Sequence, residues 1–242
     1  MDGPLEMEEQ QRTRWNAYVS RGGLVEYDDW LRTPGKQIVH ELYRKRLKGR
    51  RVLEVGCGAG HLVRALEADD PAREITGLDL SQKMLDIAAA RGVRSLVCGS
   101  GNNLPFPDGS FDAVVAAVWV FRYLEPRALG EVRRVLRPNG QFMFDVPLFF
   151  GTALEACAAT IKSPRRWKRH WNEARLHLNP PSPRTWEKRL VDAGFSINEV
   201  IGIIEIPFFT RRFAWSPCVT NPLACHLSLT CFYHARNTCP GK

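Results

Sequence analysis

Between residues 36 and 147, short apolar runs alternate with stretches whose apolar residues recur at helical spacing. Residues 36–48 place Ile38, Val39, Leu42 and Leu47 on one side and predict a helix. "RVLEVG" (51–56) predicts a strand and "HLVRALEA" (61–68) a helix; "EITGLDL" (74–80) follows as a second strand. "SQKMLDIAAARG" (81–92) predicts a helix capped by Ser81 and stopped by Gly92. "SLVCG" (95–99) is a third strand. "FDAVVAAVWV" (111–120) is a fourth, nearly all apolar, as a strand covered on both faces should be. "PRALGEVRRVLRPNG" (126–140) reads as a helix ended by Pro138 and Gly140, and "QFMFDVP" (141–147) as a fifth strand.

The flanks are less regular. Residues 12–31 predict a helical arm carrying Trp15, Tyr18, Tyr27 and Trp30. After Pro147 the periodicity breaks until "RTWEKRLVDAGF" (184–195), a helix, and "SINEVIGIIEI" (196–206), a strand. "CHLSLTCFYHAR" (225–236) reads as the last strand, and "PFFTRRFAWSPCVTNPLA" (207–224) as an irregular loop before it. Strands alternating with helices imply an α/β fold with right-handed crossovers. The expectation is a Rossmann-like, doubly wound, mostly parallel seven-stranded sheet. One domain, 1–242, divides into an arm (1–35), a core (36–147), a cap inserted after strand five (148–185) and a closing part (186–242).

Composition narrows the class. Of 242 residues, 44% are hydrophobic, enough for a sizeable core, and no run approaches a membrane span. The N-terminus, "MDGPLEMEEQQRTRW", lacks the basic-then-apolar order of a secretion signal. Seven cysteines without a C-x-x-C suit reduced thiols, a cytoplasmic setting and no metal site. The net charge of +8 is concentrated in "RKRLKGRR" (44–51) and "KSPRRWKR" (162–169). The first reads as a solvated helix face.

The chemistry starts at Glu54-Val55-Gly56-Cys57-Gly58-Ala59-Gly60. Alternate glycines after a strand let the backbone turn and approach a ligand, and the next helix offers free N–H groups. A pyrophosphate would be repelled by Glu54, whereas a ligand with an ammonium group would be held. Asp79 ends the second strand, where doubly wound folds bind ribose hydroxyls. An amino acid joined to a nucleoside without phosphate is S-adenosylmethionine.

These segments resemble the class I S-adenosylmethionine-dependent methyltransferases, above all their type 11 small-molecule branch. The resemblance rests on "VLEVGCGAG", "ITGLDLSQKMLDIAAARG", "NNLPFPDGSFDAVVAA" and "EVRRVLRPNGQFMF" in that order, with "YDDWLRTPGKQIVHEL" before and "WEKRLVDAGFSINEV" after. It implies that Glu54, Gly56, Cys57 and Gly58 line the methionine part, that Asp79 holds the ribose and that Leu80 packs on the adenine. It places Val118 and Trp119 beside the methionine portion, with Tyr27 and Trp30 covering the cofactor. Many relatives carry an aspartate after strand three for the adenine amine. Here the run is Gly99-Ser100-Gly101-Asn102-Asn103, and Ser100, beside Gly101, takes that place.

The expected reaction is methyl transfer to oxygen or nitrogen of a small, aromatic or apolar metabolite, leaving S-adenosylhomocysteine. Candidate catalytic groups are His177 and Tyr123; Arg122, Trp167 and Trp171 are candidates for binding the acceptor. A homodimer is the expected assembly. Nucleic-acid methylation stays open but disfavoured: "NPP" (179–181) and "SPC" (216–218) lie far from strand four, where such motifs act. A partner subunit without methylating activity is the other alternative.

Overall fold

A computed structural model of the chain describes residues 4–117, 120, 127–147, 182–203, 218–219 and 230–238. The arm is two helices, α1 (Pro4–Ser20) and α2 (Leu24–Leu31), not one. They part at Arg21-Gly22-Gly23, where two consecutive glycines carry the largest helix penalty short of proline. Helix α3 (Pro34–Arg46) opens with Pro34, whose missing N–H has no role at a helix start.

The core then runs β1 (Arg51–Val55), α4 (His61–Asp69), β2 (Glu74–Asp79), α5 (Gln82–Ala90), β3 (Leu96–Cys98), β4 (Phe111–Ala116), α6 (Arg127–Val135) and β5 (Leu136–Pro147). Helix α7 (Pro183–Asp192) and strands β6 (Phe195–Ile203), β7 (Cys218–Val219) and β8 (Thr230–Asn237) close it. The sheet order is β3-β2-β1-β4-β5-β8-β6-β7. Strands β1 to β5 pair in parallel, and β8, β6 and β7 are antiparallel. The fold is the expected mostly parallel doubly wound sheet. An eighth strand is added: β7, two residues long, pairs with β6 inside the stretch read as an irregular loop.

Side chains alternate across the sheet. Leu53, Val55, Val114, Ala116, Phe142 and Phe144 meet α6 and α7 through Val132, Val135, Trp186 and Leu190. Val52, Ala113, Val115 and Met143 meet α3, α4 and α5 through Tyr43, Leu66 and Ala88. Both faces are therefore dry, which explains why the central strands are mostly apolar. Ser81 caps α5 as its sequence position predicts, accepting from Met84 N.

One boundary differs. Helix α6 stops at Val135, and "LRPNG" belongs to β5, with Leu136 already paired to Phe111. Pro138 disfavours a helical Arg137, and Asn139 turns left-handed at φ 60, so the chain bulges before the ladder resumes at Gln141.

The basic run at 44–51 is largely neutralised. Arg44 pairs with Asp69, Arg46 with Glu199, Arg50 with Glu74 at 2.8 Å and Arg51 with Asp112 at 3.8 Å. These pairs tie α3 and the edge of β1 to α4, β2, β4 and β6. Among the described residues, no helix is long and apolar enough to cross a membrane.

His40 on α3 supplies a stability prediction. Its Nε2 is buried without a hydrogen-bond partner. Burial pushes the imidazole down to about 4, and His61, Lys36 and Arg44 add to the effect. The unfolded chain takes up this proton near 6.5, so acidification through that interval favours unfolding. The expected loss is about 2 kcal/mol once partial exposure is allowed for. Glu54 and Asp79, whose carboxyls are raised by burial, act with the opposite sign. A comparison with His40→Leu isolates the term. Denaturant titrations at neutral pH and about pH 4.5 should show the variant losing about 2 kcal/mol less than the parent; parallel losses would show that His40 titrates normally in the fold.

Candidate functional site

The sheet order reverses between β1 and β4, and the glycine turn follows β1 at this switch point. In doubly wound folds that crevice receives ligands. Gly56 has φ +71, and a Cβ there would lie 2.4 Å from Val120 Cγ2. Gly60 starts α4 at φ +77, and its Cβ would lie 2.5 Å from Val93 Cγ2. Only glycine meets both demands at either position. Gly56 N and Cys57 N donate to Leu78 O at 2.7 and 3.0 Å, which fastens the turn to β2.

Asp79 stands at the end of β2. Its Oδ2 accepts from Gly58 N and its Oδ1 from Ser81 N, each at 2.8 Å. Burial raises the carboxyl above its ordinary range, while the N–H groups of Ser81, Gly58 and Leu80 oppose that rise. The two bonds fix both oxygens and leave further lone pairs for the cleft.

Glu54 faces the α4 side of β1 and accepts from Val63 N–H in the first turn of that helix. It is buried, and its Oε2 has no hydrogen-bond partner. Burial drives its pKa well up, and the nearby Asp79 adds to it. A buried acceptor beside a ligand turn suits an ammonium group, which would supply the missing donor and restore the carboxylate. Cys57 packs into the core against Gly77, and burial pushes its thiol up.

The cleft at this turn has a volume of about 860 Å³, part of it open to solvent. The turn contributes Gly56 and Gly58. Strand β2 and helix α5 contribute Asp79, Leu80 and Met84, and the loop after β3 contributes Gly99 through Asn102. The arm forms the remaining wall with Glu8, Gln11, Trp15 and Tyr27. Tyr27 lies over the turn, its hydroxyl 3.5 Å from where a Gly58 Cβ would stand. Burial, reinforced by Glu54 and Asp79, keeps that phenol protonated.

Polar latches hold the arm. Asp28 meets His61 Nε2 at 2.8 Å and accepts from Arg91 Nη2 at 2.7 Å. Burial raises the Asp28 carboxyl, but these two partners outweigh it and hold it below its usual range. Burial lowers the His61 imidazole, and Arg91 opposes its protonation while Asp28 favours it. Farther along, Ser81 Oγ donates to Asn16 Oδ1 at 2.7 Å, and Lys83 donates to Ser20 Oγ at 2.6 Å.

The structure thus brings Gly56, Gly58, Asp79, Leu80, Ser100, Gly101 and Tyr27 around one cleft. Glu54 and Cys57 lie beneath it, in the layer between β1 and α4. Val118, Trp119, Arg122, Tyr123, Trp167, Trp171 and His177 lie outside the described residues, as does the side chain of Trp30. Glu8, Gln11 and Asn102 were not singled out by the sequence. Glu8, Gln11 and Trp15 do share one helical face, at i, i+3 and i+7. Two of these three residues are polar, so apolar periodicity does not mark the face.

Residues 53–144 match the family described as Methyltransferase domain. A demethylmenaquinone methyltransferase of Thermotoga maritima is 41% identical over 95 residues, 38% of this chain and 42% of that protein. The Ubiquinone/menaquinone biosynthesis C-methyltransferase UbiE of Methylobacterium nodulans is 36% identical over 114 residues, 44% of this chain and 45% of that protein. The chain thus covers less than half the length of these curated relatives. Among solved structures, a SAM-dependent methyltransferase of Thermotoga maritima superposes with a TM-score of 0.67 at 20% identity, covering 93% of this chain and 99% of that one. The match runs from Leu53 in β1 to Phe144 in β5 and takes in the glycine turn and Asp79, so this stretch of the chain matches a methyltransferase domain.

Proposed function

We propose that this chain transfers a methyl group from S-adenosylmethionine to a small apolar acceptor. The observation that carries the reading is the acceptor set around the cleft. A buried Glu54 with an unpartnered oxygen lies at the turn, and Asp79 is anchored by two N–H groups at the ribose position. The sulfonium of the bound cofactor supplies an activated methyl. The chain's own task is to hold, align and exclude water. Gly56 and Gly58 let the backbone approach the amino-acid portion, Glu54 offers its oxygen to the ammonium group, and Asp79 takes the ribose hydroxyls. Leu80 and Met84 provide an apolar face for the base, and the arm shields it through Trp15 and Tyr27. Alignment of this kind supplies about 7–11 kcal/mol of barrier reduction.

On the acceptor side, Arg122, Trp167 and Trp171 are proposed to bind the substrate, with His177 and Tyr123 as proton-transfer groups. A base is needed only for acceptors that must lose a proton. Val118, Trp119 and Trp30 complete the proposed cofactor set. Oxygen or nitrogen is the proposed attacking atom. Carbon is the second reading, favoured by the name C-methyltransferase that one relative carries.

Calorimetric titration tests the cofactor. S-adenosylmethionine and S-adenosylhomocysteine should bind at micromolar concentrations and NAD should not. Incubation with hydroxylated, aminated and quinol-type aromatics should then yield a product heavier by one methyl. The carbon chemical shift of that methyl separates oxygen, nitrogen and carbon as the attacked atom. Binding without any methylated product across the panel would favour the partner-subunit alternative.

A further inference from the structure

We propose that Glu8, on the arm helix α1, is the acceptor for the exocyclic amine of the cofactor's adenine. It supplies from across the cleft the carboxylate that the stretch Gly99 to Asn103 after β3 lacks. The inference rests on the cofactor reading above and goes beyond it in naming a residue and the chemical group it selects.

The first residues of the loop after β3, Gly99 to Asn103, contain no acid, yet a carboxylate stands against them. Glu8 Oε1 accepts from Ser100 Oγ at 2.6 Å and from Asn102 Nδ2 at 2.7 Å. Ser100 Oγ in turn accepts from Asn102 N at 3.0 Å. The hydroxyl's single proton is therefore committed to Glu8, and Ser100 serves as a clamp that orients the carboxylate. No hydrogen bond among the described residues uses the other carboxylate oxygen, Oε2. One turn along α1, Gln11 Oε1 is buried without a partner and lines the same cleft. Leu78, Leu80, Met84 and Trp15 supply apolar surface for a flat ring between these groups and Asp79.

The hydrogen-bonding character of this end is acceptor-rich. A purine bearing an amine matches it. A purine bearing an oxo group in the same place would set oxygen against carboxylate. An ionised carboxylate can only accept, whereas the Gln11 amide can turn to present its NH₂. Discrimination between amine and oxo therefore falls to Glu8. Because Glu8 belongs to the arm, selection of the base and docking of the arm are one event.

The test is titration of the full chain and of Glu8→Gln and Glu8→Ala with S-adenosylhomocysteine and with its 6-oxo analogue, S-inosylhomocysteine. The parent should prefer the adenosyl ligand by roughly tenfold or more, the size of one hydrogen bond. In Glu8→Gln the amide oxygen keeps the Ser100 and Asn102 bonds while its NH₂ replaces Oε2. The preference should then fall to near unity or reverse. Glu8→Ala should lose roughly tenfold in adenosyl affinity and most of the preference. A parent-like preference in both variants would overturn the proposal, including the case where both ligands weaken equally because Glu8 merely docks the arm. A parent that binds neither ligand would overturn the cofactor reading itself. A parent that binds both ligands equally would overturn only the role of Glu8.

Discussion

Replacing Asp79 by alanine should weaken S-adenosylmethionine binding by about 1–3 kcal/mol, roughly 5- to 150-fold, the range for losing charge-assisted hydrogen bonds. Two effects combine. The ribose loses its acceptor, and the N–H groups of Gly58 and Ser81 lose the oxygens they meet at 2.8 Å. The second effect makes Asp79→Asn informative. Both carboxylate oxygens already receive a backbone N–H, so the amide must turn its NH₂ against one of them. The near-isosteric variant should therefore be about as weak as alanine, whereas an acid that faced only the ligand would be partly replaced by the amide. Calorimetric titration of the parent and both variants, with circular dichroism to confirm folding, decides between the two cases. Parent-like affinity in folded Asp79→Ala would remove Asp79 from the cofactor site.

The glycine turn and Asp79 were legible in the sequence because local backbone chemistry writes them. Left-handed turns select glycine, and a strand end at the switch point fixes where the acid falls. The parallel core was legible for a similar reason. Strands covered on both faces read as continuous apolar runs, and Ser81 announces its helix by a short-range bond. What stayed hidden is long-range. Glu8 meets Ser100 and Asn102 across more than ninety residues of sequence, and nothing in "MEEQQ" distinguishes an acid facing a cleft from one facing water. Asp28, His61 and Arg91 meet from three separate elements in the same way. The boundary at Leu136 was missed because helix and strand abut without a loop, and the apolar residues of α6 continue smoothly into the ladder. The two-residue β7 is too short for any periodicity to mark it.

The largest stability effect should come from Phe144→Ala. Phe144 lies on β5, with no exposed surface. Its ring stacks on Phe142 at 4.9 Å and on Tyr233 of β8 at 4.9 Å, with interplanar angles of 18° and 11°. Trp186 of α7 meets it edge-on at 5.4 Å. The ring thus joins the parallel half of the sheet, the antiparallel half and the helix that covers both. Truncation removes the apolar transfer energy and leaves a cavity among three rings that cannot easily close, an expected loss of about 3–5 kcal/mol. Phe144→Leu keeps much of the volume but surrenders the aromatic contacts, which contribute about 0.5–1.5 kcal/mol beyond burial, so it should fall between alanine and the parent. Urea titration followed by circular dichroism measures both, and an unchanged slope with denaturant would show that the midpoint shift is a change in stability. A loss within about 0.5 kcal/mol for alanine, the usual scale of a surface change, would mean that the stack does not hold the two halves of the sheet together.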